Sequence, residues 1–248
     1  MKVLNSLILR ARFLGAILIG TLFSFTAQAH WPVLGNLDPE HGAAQPCEGH
    51  FCFKNPHDAF NHYRDIMNQP ETPTEDLLQA RYLLAKLIYA GEVGYKNVLL
   101  ATALLEHSAA QGHGPSLYSL AALHFKGESR PQNWKEARRL FGLAGQTGHI
   151  LGMTHYARML YHGQGGAPDL ALARENFKTA AYQGNAEAQN AYGLMLYFGE
   201  GGTKDPFLGR LLIKEAAEQG FKDARQNLEA LKESTQPNCS GLPKSLTG

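Results

Sequence analysis

Glycine returns in this chain at a fixed interval, and that interval constrains the fold more than any other feature. Gly112, Gly148, Gly184 and Gly220 stand 36 residues apart, and Gly91, Gly127, Gly163 and Gly199 share the same step. The aromatic set Tyr89, Phe125, Tyr161 and Tyr197 keeps the register, as do Leu87, Leu123, Met159 and Met195. Small residues add two further columns, Ala85, Ala121, Ala157 and Gly193, then Ala101, Ala137, Ala173 and Gly209. Columns in one register mark an internal repeat, in which each unit packs only on its neighbours.

Each column has a physical role. Leu84, Ala85, Leu87, Ile88 and Tyr89 recur at helical spacing. Gly91 ends that first helix, where a left-handed backbone costs glycine least. Asn97 opens a second helix, and its counterparts Asn133, Asp169 and Asp205 are all good N-caps, accepting a bond from an otherwise unpaired N–H. Leu104, Leu105 and Ala109 follow before Gly112 closes the unit. The spacing predicts four helix–turn–helix units at 77–112, 113–148, 149–184 and 185–220. One such hairpin leaves its apolar face open, so stacking must supply the core. The expected fold is all-α, a right-handed α-solenoid with helical caps.

The flanks read as those caps. Asn55-Pro56 is an N-cap followed by proline at the first helical position, and Phe60, Tyr63, Ile66 and Met67 form an apolar stripe. A capping helix and linker are therefore expected over 55–76. Thr72-Pro73-Thr74-Glu75 reads as a capping box. Ala224, Leu228 and Leu231 suit a closing helix over 221–233, and the polar stretch 234–248 is expected to be a disordered tail.

Several segments carry a family resemblance. Ala109-Ala110-Gln111-Gly112-His113 and Ala216-Ala217-Glu218-Gln219-Gly220 resemble the ending of Sel1-like, TPR-like repeats. Gly199-Glu200-Gly201-Gly202-Thr203-Lys204-Asp205 is similar to that family's inter-helix loop, and Gly163–Asp169 matches nearly as well. The first two units depart there, with Gly91-Glu92-Val93-Gly94 and Gly127-Glu128-Ser129-Arg130. The resemblance implies the solenoid fold and an adaptor or scaffold role.

The N-terminus points to export. Lys2, Arg10 and Arg12 precede an apolar run from Phe13 to Phe25, which ends in Ala27-Gln28-Ala29. That order is a signal peptide over 1–29, and the run is short of the roughly 20 residues of a membrane span. The mature chain is expected to be periplasmic or secreted, without stable membrane insertion after cleavage. Cleavage removes three of the 23 basic residues and none of the 22 acidic ones, leaving 20 − 22 = −2. No clustered Lys and Arg remains to favour nucleic acid or an anionic membrane surface.

The arm over 30–54 holds the remaining candidate chemistry. In an oxidising compartment, Cys47 and Cys52 suit a local disulfide, with Cys239 left over. His30 would become the first mature residue, offering an α-amine and an imidazole together. With His41 or His50, it is a candidate copper or zinc site. His155 and His162 are two helical turns apart, roughly 10 Å, too far to share one ion. Some cysteine-rich Sel1-like proteins are linked to β-lactam binding or hydrolysis, but those carry a Cys pair in each repeat, and residues 77–220 hold none. No Ser-x-x-Lys, Gly-x-Ser-x-Gly or His-Glu-x-x-His motif is present, so no enzyme and no required cofactor is expected.

A helical solenoid usually binds on the surface formed by its first helices. Core columns stay constant there, and binding positions vary. Tyr82, Lys86, Tyr118, His155, Arg158, His162 and Asn190 occupy variable first-helix columns. They are the expected contacts to a protein or peptide partner in the cell envelope, since aromatic and Arg side chains favour interface hot spots. The function expected first is a periplasmic interaction scaffold. The alternatives are a copper-binding protein using the His-rich arm, and a cell-wall ligand-binding protein or hydrolase.

Overall fold

A computed structural model describes residues 53, 55–128 and 130–233. Among the described residues every regular element is a helix. A leading helix α1 (Pro56–Asn68) precedes four hairpins. These are α2 (Thr74–Ala90) with α3 (Val98–Ala109), and α4 (Gly114–Lys126) with α5 (Trp134–Gln146). Then come α6 (Ile150–His162) with α7 (Leu170–Tyr182), and α8 (Ala186–Phe198) with α9 (Pro206–Glu218). The last helix, α10 (Lys222–Glu233), begins 36 residues after α8, in register with the first helices of the hairpins. Each helix packs on its sequence neighbours, which is the connectivity of an α-solenoid.

Capping follows the sequence pattern closely. Asn97, Asn133, Asp169 and Asp205 each accept a side-chain hydrogen bond from the backbone N–H three residues on. Asn55 does the same for α1, with Pro56 at its first position. Each such cap is worth about 1 kcal/mol. The first helices end on Gly91, Gly127, Gly163 and Gly199, all left-handed with φ between 68° and 79°. The expected capping box at α2 does not form. Pro73 is the N-cap, with no side-chain bond, while the Thr72 hydroxyl donates to the Ile66 carbonyl at 2.9 Å. That carbonyl belongs to the last turn of α1 and also accepts the Gln69 N–H at 3.2 Å, so Thr72 adds a second bond that closes the preceding helix.

The core lies between paired helices. Leu105, Leu123, Met159, Met195 and Ile213 are fully or almost fully buried, each contributing about 2 kcal/mol of transfer free energy. The small-residue columns let the helices of one hairpin approach: Ala85, Ala101, Ala121, Ala137, Ala157 and Ala173 expose no surface. In the last hairpin both positions are glycine. A Cβ at Gly193 would fall 2.7 Å from the Gly209 carbonyl oxygen, closer than packing tolerates.

Candidate protein-binding face

Adjacent first helices touch through residues 37 apart. Tyr118 on α4 meets His155 on α6, with Oη and Nε2 3.1 Å apart. Asn227 on α10 donates from Nδ2 to Asn190 Oδ1 on α8 at 2.9 Å. Tyr82 packs edge-on against the His113 ring, 5.6 Å between centroids. His113 in turn bonds Ser116 on its own helix and Gln79 on α2.

The middle of this row is a continuous chain across three first helices. His155 stacks on Phe141 at 5.0 Å and 16°. The Arg158 Nη2 group donates to His155 Nδ1, and its Nη1 donates to Glu187 Oε1 on α8 at 2.8 Å. Arginine can only donate, so Nδ1 carries the lone pair and Nε2–H donates to the Tyr118 hydroxyl. Burial holds the His155 imidazole well below the ordinary histidine range, and the Arg158 charge adds to the effect. Tyr118 also stacks on His149 at 4.8 Å, while His149 Nδ1 accepts the Gly152 N–H and caps α6.

The seven residues expected on the binding face therefore divide. Tyr82, Tyr118, His155 and Asn190 are all under a tenth exposed and serve joints between repeats. They vary along the array because each joint has its own pair, so variation there reflects the neighbouring helix. Lys86 and Arg158 share one repeat column and are half-buried, and His162 is exposed at the end of α6. Lys86 Nζ lies 5.6 Å from the Tyr82 ring centroid. Although the residue as a whole is exposed, its ring lies edge-on against Tyr161 at 5.0 Å, and this partial burial first and Arg158 second hold the imidazole below its ordinary value. These three cationic or titratable groups form the open part of the row.

A second set of fasteners lies outside the columns expected to matter. Tyr161 Oη donates to Glu200 Oε2 at 2.8 Å, and Tyr89 makes the equivalent bond to Glu128, both 39 residues on. Burial and the carboxylate acceptor raise both phenols above their ordinary values. Phe125 occupies the same column without a hydroxyl and stacks on Trp134 instead. On the second helices, Arg138 donates to the Ala167 carbonyl at 2.9 Å, and Arg174 to the carbonyls of Glu200 and Thr203. The signal was the repeated Arg 36 residues apart facing a Gly-Gly loop in the next unit. At Gly165 and Gly201 a Cβ would overlap the carbonyl oxygens of Trp134 and Leu170, which is why those loops are glycine-rich.

Comparison with known proteins decides the family. The Sel1 repeat model matches residues 78–113, 114–149, 150–185 and 186–221. The chain belongs to the Sel1 repeat family. Two solved structures are similar in fold. A Sel1 repeat protein from Oxalobacter formigenes is 20% identical with a TM-score of 0.65, covering 75% of this chain and 76% of that one. A protective antigen of uropathogenic Escherichia coli displaying an SLR fold is 22% identical with a TM-score of 0.61, covering 72% of this chain. This chain spans 41% of that antigen's length. A search of curated proteins gives no match. Sel1 repeat proteins are in general protein-interaction scaffolds and are typically not enzymes.

Cys47, Cys52, His30, His41 and His50 lie outside the described residues. Among the described residues, no group of three His, Cys, Asp or Glu could hold a metal ion. No described helix is long and apolar enough to cross a membrane.

Proposed function

We propose that this chain is an exported scaffold that binds a protein or peptide of the cell envelope on the surface of its first helices. Lys86, Arg158 and His162 would make the decisive contacts. The observation that carries this reading is the fixed presentation of Arg158. Its guanidinium is held between His155 and Glu187 yet remains half-buried rather than enclosed, in the column that also holds Lys86. A long side chain immobilised before binding loses less entropy when it meets a partner, which favours it as an anchor. Export rests on the N-terminal pattern of Lys2, Arg10 and Arg12, the apolar run and Ala27-Gln28-Ala29.

The test is native mass spectrometry of the protein purified from its own cell envelope, with mild cross-linking. A stoichiometric protein partner is expected, retained in the presence of a chelator. The double variant Lys86→Glu, His162→Glu leaves the joint residues Tyr82, Tyr118, His155 and Asn190 in place and should weaken that complex by about 30-fold, the effect of losing roughly 2 kcal/mol at a hot spot. Undiminished binding by the variant would remove the proposed face. A partner-free chain carrying one metal ion would shift the reading to His30 and the N-terminal arm.

A further inference from the structure

We infer that the chain Tyr118–His155–Arg158–Glu187 is an acid-sensitive joint, in which a proton arriving at His155 Nδ1 displaces Arg158 and loosens α6 from α4 and α8. This inference does not depend on the identity of a partner. Its basis is that Nδ1 has one lone pair, and Arg158 already uses it. An imidazolium would aim an N–H at a guanidinium, which has no acceptor to offer. Groups on three helices face His155. From α4 it meets the Tyr118 hydroxyl, and from α5 the Phe141 ring, which cannot take a proton. On α6 its charged neighbour is Arg158, with His149 at the N-cap acting in the same direction and His162 beyond Arg158. The Glu187 carboxylate on α8 is reached through Arg158.

Protonation therefore leaves a buried cation against an aromatic face, with Arg158 driven from Nδ1. Moving His155 out of its slot relieves both. That motion breaks the Tyr118 bond to α4 and frees the tie that crosses to Glu187. A group whose folded value is depressed keeps its full contribution above the unfolded value of about 6.5, and loses it as pH falls from there toward the folded value. The folding or closing constant of this joint should drop about tenfold per pH unit within that window, the limit for one proton.

Hydrogen exchange of the full chain at about pH 7.5 and about pH 5, corrected for intrinsic exchange, reads the joint directly. These values bracket the ordinary histidine pKa. Protection in α4 and α6 is expected to fall about tenfold or more on acidification, while α9 changes little. His155→Gln supplies an amide oxygen for Arg158 and an amide N–H for Tyr118 without titrating, so its protection in α4 and α6 should fall much less than the wild type's, leaving in α6 only the smaller part due to His162. An equal fall in the wild type and in His155→Gln would overturn the inference. Nitrogen-15 NMR of the wild-type imidazole separates the outcomes even where that variant fails to fold. The Nε2–H form, taking up its proton together with loss of protection in α6, supports the joint. An Nδ1–H form, or protonation near the ordinary value with α6 still protected, refutes it.

Discussion

The joint between the first and second repeats and the joint between the third and fourth share one backbone plan and are fastened differently. At both, a tyrosine at the end of a first helix donates to a glutamate of the next loop, Tyr89 to Glu128 and Tyr161 to Glu200. Among the described residues, only the later joint adds a guanidinium that closes over the loop's own carbonyls. Arg174 reaches the carbonyls of Glu200 and Thr203, and Gly201 and Gly202 bring the loop close enough to be held. The earlier joint has Thr102 at that position, with its hydroxyl turned to Val98 of its own helix. Its loop is tied instead by Arg130 to Glu106 at 3.0 Å, an ion pair with both side chains more than a third exposed and hence of small value. The difference teaches that arginine and the double glycine act as one device. The glycines lower the loop onto the preceding helix, and the arginine closes over its carbonyls.

The largest test of that device is Gly201→Ala. The residue has φ 67°, and its new Cβ would overlap the Leu170 carbonyl. A loss of about 3 kcal/mol is expected, the sum of left-handed strain and overpacking. Gly94→Ala is the matched control in the first loop. It also sits at positive φ, but a Cβ there meets nothing within 4 Å, so about 1 kcal/mol should be lost. Denaturation midpoints followed by circular dichroism would separate the two, and equal losses would show that backbone strain alone sets the cost.

Arg174→Ala comes next. It removes two charge-assisted bonds at a partly exposed site, and a loss of about 1.5 kcal/mol is expected. Hydrogen exchange should place the loosening at the loop of residues 199–204, with the first two repeats unaffected. The smallest effect is a gain. Thr102→Arg installs the missing guanidinium at the first joint and should stabilise the array by about 0.5 kcal/mol. No gain would mean that the second loop lies too far out without its own pair of glycines, and a loss would mean that the arginine cannot leave the buried slot of Thr102.

The fold was legible because its signals are local. Asn97 to Asp205 cap helices through bonds three residues long, and Gly91 to Gly199 end helices through their own φ. The joints were harder to read because their partners lie 29, 37 or 39 residues away, and each partner looks ordinary by itself. Glu187 and Glu200 resemble solvated glutamates until Arg158 and Tyr161 are placed opposite them. Variation among Tyr82, Tyr118 and Asn190, which share one repeat column, suggested a binding surface, yet all three are buried. A residue that changes together with its partner and a residue that changes freely look the same in one chain. The box at Thr72 misled for a related reason, because the same hydroxyl suits the end of α1 as well as the start of α2.

The joints also bear on how such an array can grow. Tandem copying is the simplest way to lengthen a repeat protein, and the Tyr161 and Arg174 fasteners would survive it. Copying the third unit would set Tyr161 before a second Gln164 and Arg174 before a second Gly165-Gly166 loop. The row on the first helices would not. Arg158 would meet Leu151 where it now meets Glu187, and Thr154 would stand where Tyr118 supports His155. Lengthening at that point strands a charge, so the four units form an ordered phrase whose words cannot be doubled without rewriting the next.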